Sequence, residues 1–114
     1  MTDATAPSGL LPAKLPDGVV AYRRTPIFDQ DTIPAGLRRE HRTAPGVWGL
    51  ITVIEGRLRF RSLRPVGETV LTPGTPMAVA PEQPHEVAPD GPVRFFVEFY
   101  RGADMAGAGS SRPS

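Results

Sequence analysis

Two adjacent segments of this chain, VWGLITVIE (47–55) and RLRFRSL (57–63), have the composition of β-strands. The first is rich in β-branched and aromatic residues and is apolar on nearly both faces, as expected for a central strand of a closed sheet. The second alternates, with Leu58 and Phe60 on one face and three arginines on the other. It is therefore predicted to have one buried face and one solvated face.

Glycine and proline mark the predicted turns. Glu55-Gly56 predicts a tight hairpin between the two segments, because glycine supplies the positive φ that such a turn needs. Thr72-Pro73-Gly74 predicts a second turn, and Asp90-Gly91 a third, which opens the strand PVRFFVEFYR (92–101). Two further strands are predicted upstream, at GVVAYRR (18–24) and GLRREHR (36–42).

Fourteen prolines and twelve glycines leave no room for a helix of ordinary length. Short strands closed by glycine or proline indicate an all-β sandwich or barrel, formed as a single domain over residues 17–102. The segments 1–16 and 103–114 show no period that could bury a face, so they are predicted to be disordered tails.

The charge pattern argues against several classes of function. Twelve arginines and one lysine nearly balance twelve acids, which removes the electrostatic argument for nucleic acid or a membrane surface. The chain has no cysteine, so thiolate catalysis and Cys-based metal sites are excluded. It shows neither an export signal nor an apolar run long enough to span a bilayer, and a cytoplasmic protein is expected.

A small set of polar residues forms the candidate site. His85 follows a turn stiffened by two prolines, Glu82 lies in the same turn, and His41 ends an upstream charged segment. Glu98 lies in a strand with few other polar groups, and a buried carboxylate needs a partner. Imidazoles and carboxylates from separate strands bind divalent transition metals, so His41, Glu82, His85 and Glu98 are predicted to hold one.

Two aspects of this site stay open at the sequence level. Glu98 has an alternative partner in an arginine across the sheet, and both histidines are also compatible with purely structural positions. If the site lies in a pocket, its walls are predicted to be aromatic, from Trp48, Phe60 and Phe96.

Several stretches of this sequence resemble a known family. HRTAPGVWGLITVIEGRLRF (41–60) followed by TPGTPMAVAPEQPHEV (72–87) is similar to the two-motif layout of the cupin superfamily. More narrowly, the chain resembles the small TehB-like family, related to the N-terminal domain of a tellurite-resistance methyltransferase. The segments that carry this second resemblance are FDQDTIPAGL (28–37), PGVWG (45–49), PEQPHEV (81–87) and GPVRFFVEFYR (91–101).

The resemblance implies a cupin-type jelly roll, also called a double-stranded β-helix, with His41 and His85 at the histidine positions of the two motifs. The chain departs from the usual pattern, because Thr43 lies near the second histidine position and Trp48 or Gly49 near the glutamate. The usual site of three histidines and one glutamate cannot form. The resemblance therefore implies a reduced site holding zinc, with iron, nickel and manganese as alternatives.

Three functions remain open from the sequence. The first is a metal-binding module for tellurite resistance or stress response, whose ligand is a small molecule or an oxyanion. The second is a metal-dependent enzyme that acts on a small polar substrate. The third is a metal-free interaction domain, with a methyltransferase as a partner in trans. A homodimer is compatible with all three.

Overall fold

The structure is a computed structural model that describes residues 15–102, and its strands form one antiparallel sheet. The two longest strands, β3 (Trp48–Leu63) and β6 (His85–Gly102), pair from Trp48 opposite Tyr100 to Ser62 opposite His85. The shorter elements are β1 (Val19–Arg24), β2 (Phe28–Asp29), a 3-10 helix (Ala35–Arg38), β4 (Val66–Leu71) and β5 (Met77–Val79). The predicted all-β class is confirmed. Apart from residues 15 and 16, the predicted tails lie outside the described residues.

The sheet is open. Its strands are hydrogen-bonded in the order β1-β6-β3-β4, with β2 added to β6 and β5 added to β3. β4 pairs with the second half of β3, whereas β1 pairs with the last residues of β6, which face the start of β3. Because β1 and β4 attach at opposite ends of the central pair, they do not meet, and the expected closed barrel is not found within residues 15–102.

The predicted hairpin at Glu55-Gly56 is wrong, because β3 runs through these residues without reversing. The pairing of β3 with β6 shifts register twice around Gly56: Ile54 is an extra residue of β3 before it, and β6 carries two extra residues after it, both marks of β-bulges. Gly56 has φ +84°, and a Cβ there would lie 2.8 Å from Val93 Cα and would collide with the Pro92 carbonyl oxygen. The need for glycine was predicted correctly, but it serves a bulge and not a turn.

The predicted turn at Asp90-Gly91 is also wrong, because both residues lie within β6. They belong to residues 90–92 of β6, which lie opposite the single β3 residue Arg57. Arg57 forms an ion pair of 2.8 Å with Asp90. The turn at Thr72-Pro73-Gly74 is confirmed, since the Thr75 amide donates to the Thr72 carbonyl at 3.0 Å and Gly74 has φ +93°.

Of the two strands predicted upstream, one is confirmed and one is wrong. β1 covers most of 18–24, but 36–42 contains most of the 3-10 helix, a bend and a single bridge residue, His41. Pro34 accounts for the difference, because its fixed φ of −57° starts a helical turn and its carbonyl accepts from the Leu37 amide at 2.9 Å.

The bulge at Ile54 determines which residues of β3 face the core. Ile51 and Val53 point inward before it, whereas Leu58 and Phe60 point inward after it, so the inward positions change from odd to even numbers. The predicted burial of Leu58 and Phe60 and the exposure of the alternating arginines are confirmed. β6 contributes inward residues at odd positions throughout, namely His85, Val87, Val93, Phe95 and Val97. Residues 15–102 include no helix with the length and hydropathy required to cross a membrane.

Candidate functional site

His41 and His85 lie side by side at the start of β6. The His41 amide donates to the His85 carbonyl at 2.7 Å, and the His85 amide donates to the His41 carbonyl at 2.9 Å. This antiparallel bridge brings the two imidazole rings to a centroid separation of 5.3 Å, with an interplanar angle of 86°. The structure therefore joins two side chains that are far apart in the sequence.

A buried polar network fixes the turn before His85. The Gln83 side chain accepts a hydrogen bond from the Ala80 amide at 2.8 Å and donates one to Ser62 Oγ at 2.9 Å. Gln83 and Ser62 are both buried, so these bonds are made away from water, where a missing partner is costly. The network anchors the turn to β3 and sets where β6 begins.

His85 is held in one tautomer. Its Nδ1 lies 2.8 Å from the Gln83 carbonyl oxygen, which can only accept, so Nδ1 carries the proton. In the neutral ring the lone pair is then on Nε2, the nitrogen available to a metal or a ligand. The ring is 4% exposed and stacks on Phe60 at a centroid separation of 5.6 Å.

Both histidines favour the neutral form. Burial lowers the pKa of His41 below its ordinary value of 6.5. Burial also lowers the pKa of His85, with a further decrease from the nearby His41 and an opposing increase from the hydrogen bond to Gln83. His41 Nδ1 is buried and has no hydrogen-bond partner. Neutral imidazoles with a free nitrogen are the form that binds divalent metals.

Thr43 connects the segment after His41 to the turn before His85. Its hydroxyl donates to the Val47 carbonyl at 2.7 Å and accepts from the Glu82 amide at 3.2 Å. The backbone of Glu82 is thereby held close to this segment, with φ +60°, while the residue as a whole is exposed to solvent.

Glu98 lies on the opposite face of β6 from His85. Its carboxylate accepts from Arg24 at 2.8 Å in an ion pair between neighbouring strands, and the Tyr100 hydroxyl lies 3.4 Å from its other oxygen. The alternative stated from the sequence, pairing with an arginine across the sheet, is what the structure shows. Within residues 15–102 no third histidine, aspartate or glutamate joins the two imidazoles in a group able to hold a metal.

The three predicted pocket residues also lie on different faces of the sheet. Phe60 faces inward and touches His85. Trp48 and Phe96 lie on the outer face of the sheet, where the Arg24 guanidinium covers the Phe96 ring at 4.4 Å. The supporting residues Thr43, Ser62 and Gln83 were missed in the sequence analysis, since small polar residues carry no signal until their partners are known.

Residues 23–97 of the chain match the TehB-like domain family. The chain belongs to that family. Over 52 residues it is 31% identical to a probable S-adenosyl-L-methionine-dependent methyltransferase TehB of Haemophilus influenzae, an alignment that covers 46% of this chain and 18% of that protein. This TehB-like chain thus matches less than a fifth of the length of that curated relative.

Solved structures share the fold. The crystal structure of TehB from Haemophilus influenzae superposes with a TM-score of 0.75 at 25% identity, covering 83% of this TehB-like chain and 35% of that chain. A structural-genomics protein from Escherichia coli K12 superposes with a TM-score of 0.69 at 21% identity, covering 78% of this chain and 96% of that one. The second likeness concerns the fold alone.

Proposed function

We propose that this TehB-like domain is a binding module of tellurite-resistance systems in which His41 and His85 hold a divalent transition metal. The observation that carries the proposal is the approach of the two imidazoles across the bridge, with ring centroids 5.3 Å apart. Two nitrogens that share one zinc ion at about 2.0–2.1 Å each must lie within about 4 Å of each other, so ligation requires rings this close.

The chemistry of the two side chains fits a metal of intermediate softness. Imidazole suits zinc, iron and nickel, and both rings favour the neutral state that ligation needs. The buried Nδ1 of His41 lacks a hydrogen-bond partner, and such a group calls for an explanation, a bound ion being one. A bound metal would supply Lewis acidity, and with two protein ligands it would keep positions open for solvent or a small ligand.

A cupin-type arrangement is part of this proposal. In the TehB-like chain the first-motif histidine, His41, meets the second-motif histidine, His85, through a backbone bridge. The long antiparallel pair of β3 and β6 is compatible with one half of a jelly roll. Glu82 is kept in this proposal as a third ligand, because its backbone bonds to Thr43 beside the site, although its carboxylate forms no ligand group with the two imidazoles in the structure.

The test is calorimetric titration of the metal-free protein with zinc, followed by elemental analysis. We expect one zinc per chain in the native protein and in a Glu98→Gln control, whose side chain is on the opposite face. His41→Ala, which replaces the less buried histidine, should abolish binding. Glu82→Gln should weaken it, and unchanged affinity in this variant would remove Glu82 from the ligand set. Equal zinc content in the His41→Ala variant and the native protein would refute the proposal.

A further inference from the structure

We infer that the cavity beside His41 binds a small oxyanion through arginine side chains. The cavity has a volume of about 190 Å³, and its lining includes Tyr22, Arg23, His41, Arg42 and Phe99. None of these residues except His41 belongs to the proposed metal site. The lining combines two guanidinium groups and one imidazole with two aromatic rings, which is a donor-rich surface with apolar walls.

A third arginine stands next to this cavity. The guanidinium carbon of Arg101 lies 4.0 Å from the centre of the Tyr22 ring, and Arg101 Nε is buried without a hydrogen-bond partner. Among residues 15–102, the buried side-chain nitrogens and oxygens that lack a partner are this atom and His41 Nδ1. Arg101 stacks on Tyr22, which lines the cavity, and an anion bound there would account for the unpartnered Arg101 Nε.

The charge around the cavity is positive. Arg42 forms an ion pair of 2.9 Å with Glu40, but neither Arg23 nor Arg101 is within 4.0 Å of a carboxylate of the described residues. Elsewhere on the sheet the arginines are neutralised, as in the pairs that Arg24, Arg57 and Arg94 form with acids. Guanidinium groups without an acidic partner are suited to binding oxyanions in a bidentate manner.

A β-bulge in β1 produces this arrangement. The register between β1 and β6 shifts between Ala21 and Arg23, so Tyr22 is the extra residue. After the shift Arg23 lies opposite Phe99, on the inner face of the sheet, and Arg101 lies opposite Val20 on that same face. Bulges commonly redirect side chains beside functional sites, and this one directs Arg23 and Tyr22 toward the cavity.

The size of the cavity limits the class of ligand. The cavity is an open depression of about 190 Å³, smaller than the roughly 300–1,000 Å³ of pockets that hold a drug-sized ligand or cofactor. It suits a small inorganic oxyanion or a short carboxylate. Because His41 lines the cavity, the anion would also lie beside the proposed metal. In that respect the inference rests on the proposed function, but the contacts from the arginines do not require a metal.

The test is titration of the metal-free protein with phosphate, tellurite and acetate, using calorimetry. Binding of at least one of these anions is expected. Phosphate and tellurite represent small inorganic oxyanions, and acetate represents short carboxylates. Arg23→Gln and Arg101→Gln should each weaken it about tenfold or more, since each removes a charge-assisted hydrogen bond. Arg59→Gln, on the outer face of β3, removes the same charge and should change the affinity less than about twofold.

Two outcomes would overturn the inference. One is the absence of binding by all three anions, and the other is equal affinity in Arg23→Gln, Arg101→Gln and the native protein. Repeating the titration after zinc addition separates this inference from the proposed function. Anion binding that depends on the arginines in a protein that binds no zinc would refute only the metal site. Zinc binding without anion binding would refute only the anion site.

Discussion

Gln83 is the residue on which the geometry of the candidate site depends. Its side chain links the Ala80 amide to Ser62 Oγ, and its carbonyl fixes the tautomer of His85. Gln83→Ala removes the side chain and leaves the buried Ser62 hydroxyl and the partly buried Ala80 amide without this partner, which we expect to lower the free energy of unfolding by about 1–3 kcal/mol. Urea denaturation measures this change.

A double-mutant cycle with Ser62→Ala is the control for this prediction. Each single variant leaves the other side chain unpaired, whereas the double variant removes both partners of the bond. The two losses should therefore not add, with a coupling of about 0.5–3 kcal/mol. Simple additivity would show that the Gln83–Ser62 hydrogen bond contributes nothing of its own.

The two histidines should make the stability of the metal-free protein depend on pH. Their pKa values in the folded state are below the ordinary value of 6.5. Between the folded pKa and about 6.5 the unfolded chain binds more protons, so stability is complete above pH 6.5 and decreases as the pH falls below it. The lowered pKa of Asp29 acts only near and below its ordinary value of 3.8, outside this range.

Urea unfolding at pH 7.5, 6.5 and 5.5 tests this dependence. The native protein should be least stable at pH 5.5, and His41→Gln should lose part of the slope because one of the two groups is gone. Equal stability of the native protein at pH 5.5 and pH 7.5 would contradict the expectation.

The distribution of the candidate ligands shows what residue patterns can and cannot predict. His41 and His85 were grouped from the sequence, and the structure does bring their rings together. Glu98 was added because a carboxylate in a strand with few other polar groups needs a partner. In the continuous strand β6 the two positions differ by an odd number, so they face opposite sides. Its partner in the structure is Arg24 of the neighbouring strand, which is the alternative that the sequence left open.

At the level of the elements, the bulged segment around Gly56 is where the predicted and observed folds differ most. A glycine with positive φ is required both in a tight hairpin and in a bulge, and the local sequence does not distinguish them. The extra residue Ile54, two positions before Gly56, reverses the inward parity of β3, which is why Trp48 faces outward and Phe60 inward although both are even-numbered. The strand content could be predicted from local preferences, whereas the pairing of β3 with β6 depends on distant contacts.

Two glycine substitutions test this account of the bulge. Gly56→Ala would place a methyl group against the backbone of Pro92 and Val93 at φ +84°. Gly74→Ala, at φ +93° in the confirmed turn, has no atom within 4 Å of the added carbon. Both variants bear the cost of a left-handed residue, about 1–2 kcal/mol, but only Gly56→Ala adds a collision.

The free energies of unfolding of the two variants give the comparison. Gly56→Ala should lose at least about 2 kcal/mol more than Gly74→Ala, or fail to fold, because backbone on both sides restricts its relaxation. Similar losses in the two variants would mean that β3 and β6 adjust easily at the bulge, and that the bulge does not determine the register of the sheet.

Considered as a whole, the molecule places its unpaired polar groups at one end of the inner face. The segment that begins at His41 links two places: it pairs with His85 at the start of β6, and it lines the arginine-containing cavity together with β1 and Phe99 near the end of β6. The outer face is different in character, because its charges are neutralised in pairs such as Arg24–Glu98 and Arg61–Glu86. A ligand bound at the inner end would connect elements that are otherwise joined by few bonds.

Metal binding at this position should therefore stabilise the entire fold. A ligand that binds only the folded state at 100 times its dissociation constant adds about 2.7 kcal/mol. For a domain of this size each kcal/mol raises Tm by about 4–8 °C, so zinc at that excess should raise Tm by about 10–20 °C. Differential scanning calorimetry at pH 7.5 measures the shift. His41→Ala should abolish it, while Glu98→Gln should keep it after allowance for its own lower stability. A zinc-dependent rise that persists in His41→Ala would place the metal elsewhere in the chain.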